Sequence, residues 1–285
     1  MSVEIANIRE TLFTRGLHAK KNYGQHFLAD NRVLERIISA SEVGSQDFVI
    51  EIGAGLGALT KELCKRAGFV LAYEIDGDML PILSDVLREH NNFEIKNEDI
   101  LKADLPAELE NRDVKTCKIV ANLPYYITTP FIFKVFETAL PVSEMVLMVQ
   151  KEVADRLVSS PATKEYGALT ANANFYSDIS LVCNVPKNCF VPRPDIDSAV
   201  IKMKLKAPDT TVDKDLLFSI IKAAFSKRRK TLVNCLCDLN GEASKEKIAE
   251  VIVNTGFNSD IRGEVLGIAD FLKLSHEWKR AFQNK

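Results

Sequence analysis

The run Val49-Ile-Glu-Ile-Gly-Ala-Gly-Leu-Gly-Ala-Leu-Thr constrains this chain more than any other stretch. An apolar strand pattern enters three glycines, Gly53, Gly55 and Gly57, and leaves as a helical pattern. Glycine lets the chain turn sharply and lets a ligand reach the backbone without meeting a β-carbon. A strand, tight turn and helix of this kind open a doubly wound α/β sheet. From about residue 31 the rest of the chain follows suit, with strands expected at 48–52, 69–75, 93–96, 118–122, 145–149, 179–185 and 199–205. Helices are expected at 59–66, 79–90 and 130–139. Between the last two strands there is only a proline-rich loop, Phe190-Val-Pro-Arg-Pro-Asp, so these two form an antiparallel hairpin at one end of a largely parallel sheet. Beyond Lys206-Ala-Pro-Asp-Thr-Thr-Val-Asp the pattern becomes wholly helical. The expected domains are therefore 1–206, α/β, and 207–285, a small all-α module.

Bulk charge does not point to a partner. Among 285 residues, 46 % are hydrophobic and 27 % charged, with a net charge of −2, so any affinity for nucleic acid must come from local basic patches. The amino terminus lacks the apolar core of a signal peptide, and no apolar run approaches the roughly 20 residues that cross a bilayer. The six cysteines show no C-x-x-C spacing, which reads as reduced thiols in a cytoplasmic protein and no metal site.

Gly53, Gly55 and Ala58 also fit a dinucleotide fingerprint, so the turn alone leaves NAD open. The acids around it decide. Glu51 would repel a pyrophosphate, whereas it favours S-adenosylmethionine, whose sulfonium and ammonium are cationic. Glu74 ends the second strand about twenty residues on, where a carboxylate accepts both ribose hydroxyls. Asp99 follows the third strand and is placed to accept a hydrogen bond from the adenine amine of the cofactor. Acids after three successive strands beside one glycine turn specify S-adenosylmethionine rather than NAD.

The fourth strand ends in Asn122-Leu123-Pro124-Tyr125, where ligands of open α/β sheets bind. The amine of adenine is a poor nucleophile because its lone pair is delocalised into the ring. The side-chain oxygen of Asn122 and a main-chain carbonyl near Leu123 can accept both amine hydrogens and aim the lone pair at a methyl carbon. Pro124 stiffens the loop and removes a donor. Tyr125 offers a ring face to an extruded base.

These segments, with Lys21-Asn-Tyr-Gly-Gln-His-Phe-Leu, Gln150-Lys-Glu-Val-Ala-Asp-Arg-Leu, Tyr166-Gly-Ala-Leu, Ala224-Phe-Ser-Lys-Arg-Arg-Lys-Thr-Leu and Arg262-Gly-Glu-Val-Leu, resemble the KsgA (RsmA) family of ribosomal RNA adenine dimethyltransferases over almost the whole chain. The resemblance implies a class I S-adenosylmethionine-dependent methyltransferase fold, Rossmann-like, with a mostly parallel seven-stranded sheet. It implies cofactor contacts from Gln25, His26, Leu28, Gly53, Gly55, Glu74, Asp99 and Asn122. Many members carry asparagine where this chain has His26, and a ring nitrogen would have to replace the amide. Phe190 matches the family's second aromatic, expected to sandwich the target base against Tyr125. The implied reaction is dimethylation of two adjacent adenosines in a hairpin near the 3′ end of small-subunit ribosomal RNA, on the 30S subunit or its precursor, by a monomer with no membrane partner. No general base is assigned, since the alkylated amine sheds its proton readily to water.

Two stretches free of acids would meet the RNA backbone: 11–29, with Arg15, Lys20 and Lys21, and 216–237, with Lys222, Lys227, Arg228, Arg229 and Lys230. A solvated helix face is the less favoured alternative for the second. Three other readings compete. The macrolide-resistance group of large-subunit adenine methyltransferases tends to be strongly basic and usually reads Asn-Ile-Pro-Tyr, whereas this chain is slightly acidic and has Leu123. A non-catalytic assembly or transcription factor on the same fold is opposed by the intact acids and Asn122–Tyr125, though an added role as an assembly checkpoint is compatible with them. A small-molecule methyltransferase is opposed by Asn122–Tyr125 and the basic helical tail.

Overall fold

The structure is a computed structural model that describes residues 3–138, 140–207, 209–227, 229–239 and 243–282. Among the described residues there are nine strands: β1 Phe27–Leu28, β2 Phe48–Ile52, β3 Phe69–Tyr73, β4 Phe93–Lys96, β5 Cys117–Asn122, β6 Val142–Gln150, β7 Ser177–Val185, β8 Phe190–Val191 and β9 Ser198–Leu205. Seven of them form one sheet in the order β4-β3-β2-β5-β6-β9-β7. β4 through β6 run parallel, and β9 is antiparallel to β6. The central strands are buried on both faces, with Val49, Ile50, Val70, Leu71, Ile119 and Val120 fully shielded, which is why they read as unbroken apolar runs rather than alternating ones.

The chain builds outward from β2 to β3 and β4, then returns to place β5 on the other side of β2. That reversal opens a crevice at the carboxyl ends of β2 and β5, where Gly53 and Asn122 lie. The helix Asn31–Ser41 packs one face on the sheet, burying Val33, Leu34, Ile37 and Ile38 at helical spacing, and Asp30 caps its start by accepting from the Arg32 N–H. Its last carbonyls are met by two lysines from neighbouring strands. Lys202 donates to the Ala40 carbonyl at 2.7 Å, and Lys118 to the Glu42 carbonyl at 2.7 Å. Glu144 lies between them, 3.1 Å from Lys202 Nζ and 3.5 Å from Lys118 Nζ.

A two-residue ladder escapes the sequence reading. β1 and β8 pair antiparallel, Phe27 opposite Val191 and Leu28 opposite Phe190. Strands this short carry no periodicity to detect.

Two compact units divide the chain: residues 1–154 with 178–205, and residues 155–177 with 206–285. The sequence boundary after 206 keeps 155–177 with the α/β part; the structure moves that segment to the helical unit. Tyr166 and Ala171 are buried in one cluster with Leu217, Ile220, Phe271 and Trp278, and the Tyr166 hydroxyl donates to the Leu266 carbonyl at 2.7 Å. Among the described residues no helix is long and apolar enough to cross a membrane.

Candidate active site

The crevice at the sheet's reversal is a cleft of about 720 Å³, its open mouth included, lined by Gly53, Gly55, Glu74, Asp99 and Asn122–Ile127 and roofed by Tyr23–Phe27. The glycine turn requires glycine. Gly53 and Gly55 have φ of +73° and +55°, and a β-carbon on Gly55 would stand 3.3 Å from the Phe27 ring. The Gly55 N–H donates to Glu74 Oε2 at 2.7 Å, and the Asp76 N–H donates to Glu74 Oε1 at 2.8 Å. Glu74 is thus fixed by backbone donors with one lone pair per oxygen remaining, the arrangement a vicinal diol needs. Burial pushes its carboxyl upward. Asp99 accepts the Leu101 N–H at 3.0 Å and lines the same end of the cleft.

A second cavity adjoins across the turn, sharing Phe27, Gly53, Gly55 and Asn122 with the first and adding Leu28 and Glu51. Glu51 is 1 % exposed, and its Oε2 has no hydrogen-bond partner among the described residues. Burial pushes its carboxyl up to about 8, with the nearby Thr60 hydroxyl opposing the rise and the charge of Glu74 adding to it. A buried, unpaired carboxylate oxygen beside a glycine cradle fits an ammonium, and the diol-ready Glu74 fits a ribose. The residues present therefore suit S-adenosylmethionine.

Asn122 is oriented by its neighbours. Its Nδ2 donates to the His26 carbonyl at 3.3 Å, which leaves Oδ1 as an acceptor. Tyr125 shares a 2.7 Å hydrogen bond with the Ser198 hydroxyl, and burial pushes its phenol upward, so it stays neutral at physiological pH. Leu123 is buried and Pro124 packs against Gly53. The His26 ring stacks on Tyr125, with centroids 5.8 Å apart and planes 24° apart, and its Nδ1 donates to the Pro192 carbonyl at 2.8 Å.

Two placements depart from the sequence reading. Phe190 is 3 % exposed and lies in the core cluster with Val33, Ile37 and Val200, away from the cleft lining. The β1–β8 ladder sets it opposite Leu28. Gln25 is engaged at both ends of its amide: Oε1 accepts the Lys20 N–H, and Nε2 donates to Asp76 Oδ2, each at 2.8 Å. Lys20 reaches Asp76 at 2.7 Å and Asp78 at 2.6 Å, and those hydrogen bonds hold its ammonium well above its usual range. Asp76, 1 % exposed, is the hub that ties residues 20–25 to the end of β3, and sequence reasoning passed over it. Its signal was an acid two residues past Glu74. Tyr126 was missed too; its ring lies against Gly24, which has φ +59°.

The basic residues divide. Arg15 pairs with Asp85, and Lys227 with Asp238. Lys222, Arg229 and Lys230 are exposed. Arg228 and the side chain of Lys21 lie outside the described residues.

Comparison with known proteins adds three findings. The profile of the family described as ribosomal RNA adenine dimethylase matches residues 16–274. Proteins named ribosomal RNA small subunit methyltransferase A are 44 % identical in Geobacillus kaustophilus, over 94 % of each chain, and 45 % identical in Lachnoclostridium phytofermentans, over 96 % of this chain and 94 % of that one. Among solved structures, a dimethyladenosine transferase from Plasmodium falciparum superposes with a TM-score of 0.78 at 29 % identity, covering 90 % of this chain and 98 % of that one. The 23S rRNA methyltransferase ErmE gives 0.70 at 24 % identity, over 88 % and 98 %, a likeness of fold.

Proposed function

This chain belongs to the ribosomal RNA adenine dimethylase family, and from that premise we propose that it dimethylates the N6 amines of two adjacent adenosines near the 3′ end of small-subunit ribosomal RNA. The observation that carries the reading is Asn122: its amide nitrogen is held by His26, so its oxygen remains to accept an amine hydrogen beside Tyr125, at the mouth of a glycine-turn cleft. The names of the relatives, small subunit methyltransferase A at 44 % and 45 % identity over nearly all of both chains, favour the small subunit over the large.

S-adenosylmethionine supplies, when bound, a methyl group activated by a sulfonium. Glu74 and Asp99 would hold the adenosine end, and Glu51 would take the ammonium in the adjoining cavity. Asn122 Oδ1 accepts one N6 hydrogen and draws the nitrogen toward tetrahedral geometry, so that its lone pair faces the methyl carbon. Tyr125, pinned by Ser198, gives the extruded base a flat surface. The proton leaves the alkylated amine to water, which is why no histidine or lysine is required as a base.

The exposed Lys222, Arg229 and Lys230 form the surface we assign to RNA phosphates, and Lys227, which already faces Asp238, makes a weaker case. Arg15 and Lys20 make a weaker case, since each already faces an acid. The work is done in the cytoplasm, on the 30S subunit or its precursor.

The test is methyl transfer from labelled S-adenosylmethionine to small and large ribosomal subunits lacking the modification. Dimethyladenosine in the small-subunit RNA is the expected product. Label confined to the large subunit refutes the assignment in favour of the resistance-type activity, and none in either, with cofactor bound, in favour of a binding role.

A further inference from the structure

We propose that Asp76 is a positioning residue for the cofactor: through Lys20 and Gln25 it holds the strap of residues 20–25 across the cleft, and so sets how slowly bound S-adenosylmethionine leaves. The inference rests on the cofactor assigned to that cleft above and names the residue that governs its residence there.

The roof of the cleft is fastened by different means at its two ends. Its carboxyl end is held by backbone: Phe27 pairs with Val191, Leu28 with Phe190, and the Ala29 N–H donates to the Cys189 carbonyl at 2.7 Å. Its amino end is held by side chains. Among the described residues, the hydrogen bonds from 20–25 to the rest of the α/β unit all end on Asp76 or Asp78. Lys20 Nζ donates to Asp76 Oδ1 at 2.7 Å, and Gln25 Nε2 donates to Asp76 Oδ2 at 2.8 Å. The Lys20 N–H also donates to Gln25 Oε1 at 2.8 Å, so both ends of the strap close on each other and on one carboxylate. Tyr23, Gly24 and Gln25 line the cleft between these points. A cofactor under that roof leaves when the strap lifts, and lifting it breaks the contacts to Asp76.

Two features make Asp76 the governing partner rather than Asp78. The Asp76 side chain is 1 % exposed and that of Asp78 is 54 % exposed. An ion pair open to solvent contributes little, whereas a buried carboxylate that loses a donor keeps its desolvation cost. Asp76 also acts on both sides of the cleft, because its own N–H donates to Glu74 Oε1 at 2.8 Å. One residue thus sets the acid that faces the ribose and the strap that covers it. Asp76 Oδ1 accepts the Asp78 N–H at 3.1 Å as well, capping the turn Gly77–Met79. Lys20 takes no part in that cap, so variants of Lys20 separate the strap from the turn.

The experiment follows release of labelled S-adenosylmethionine chased with unlabelled cofactor, without RNA, from wild type, Lys20→Met, Lys20→Arg and Asp76→Asn. A hydrogen bond to a charged group corresponds to about 10- to 150-fold, and the 37 % exposure of Lys20 places its loss at the lower end. Release from Lys20→Met is therefore expected to be about tenfold faster than from wild type, with association no slower, since entry needs the same opening. Lys20→Arg keeps the charge and should stay within about threefold of wild type. Asp76→Asn should release at least as fast as Lys20→Met. Raising salt from about 0.05 to 0.5 M should speed release from wild type and leave Lys20→Met unmoved. Wild-type release from Lys20→Met overturns the proposal, and it does so even where Asp76→Asn does not fold. Lys20→Arg releasing as fast as Lys20→Met also overturns it, in favour of packing by the lysine stem. A wild type that binds no S-adenosylmethionine overturns the cofactor assignment, and this proposal with it. Release rates as expected, with neither subunit methylated, uphold the proposal and overturn only the substrate assignment.

Discussion

Glu51 makes the affinity for S-adenosylmethionine depend on pH in a way that can be worked out beforehand. Its carboxyl is buried, lacks a partner for Oε2, and is pushed up to about 8 by that burial. It is therefore mostly protonated in the empty protein at neutral pH and must ionise to receive an ammonium. At pH 7 about a tenth of the molecules are ionised, which weakens binding by roughly an order of magnitude relative to the fully ionised site. At pH 6 the factor is about a hundred, so Kd falls by a little under tenfold between pH 6 and pH 7. Above pH 8 the ligand's own α-amine, with a pKa near 7.8, loses its proton, so affinity peaks close to pH 8 and declines on either side. Calorimetry at pH 7 in two buffers of different ionisation enthalpy should count a net release of about 0.8 proton per cofactor bound, the loss from Glu51 less the small uptake by the ligand amine. In Glu51→Gln the acid limb disappears and Kd is flat below about pH 7. Stability moves in the opposite sense. The folded pKa lies above the unfolded one, so the protonated acid supports the empty fold at low pH, and that support is lost as pH rises through about 8, at a cost of about 5 kcal/mol. Empty Glu51→Gln should accordingly outlast wild type in urea at pH 8.5. A Kd unchanged from pH 6 to 7.5, or an equal slope in Glu51→Gln, would refute the reasoning.

Asn122→Ala is expected to lower kcat by about 10²- to 10³-fold while cofactor Kd, by calorimetry, rises less than tenfold; activity equal to wild type ends the role given to its oxygen. Lys202→Met leaves Glu144 and the Ala40 carbonyl short of a donor, and urea unfolding should show a loss of about 3–5 kcal/mol. An unmoved unfolding midpoint would mean that Lys118 alone suffices. Replacing Lys222, Arg229 and Lys230 together by glutamine should flatten the dependence of log K on log salt for subunit binding by about 2–3, and an unaltered slope removes them from the interface.

The parts of this structure that were legible in the sequence are those written in periodicity and local chemistry. β2 and β4 match their expected spans, and the proline loop correctly placed β7 and β9 side by side at one end of the sheet, because buried strands and turn residues declare themselves locally. The acids Glu51, Glu74 and Asp99 could be read because the ends of successive parallel strands converge on one edge. What stayed hidden depended on pairing at a distance. Phe190 reads in the sequence as a residue of the base site, and its burial in the core cluster follows from a two-residue ladder with Leu28, 162 positions away. Lys20 looked like a phosphate ligand, yet it faces Asp76 and Asp78 across more than fifty residues. A basic residue in a stretch free of acids still finds its counter-charge wherever the fold brings one.

The excursion of residues 155–177 into the helical unit bears on how the protein emerges during synthesis. The helix Ala168–Tyr176 is translated before β7 and β9, but the helices that bury Ala171, beginning at Lys214–Ala224, come after both. At the usual rate of about 5–20 residues per second, that helix waits a few seconds for its partners, its apolar face uncovered. The sheet cannot simply finish first and hand over to an independent tail. Cutting the chain after residue 206 should therefore yield an aggregation-prone fragment rather than a free-standing sheet, and circular permutation that joins the two helical segments should shorten the exposure.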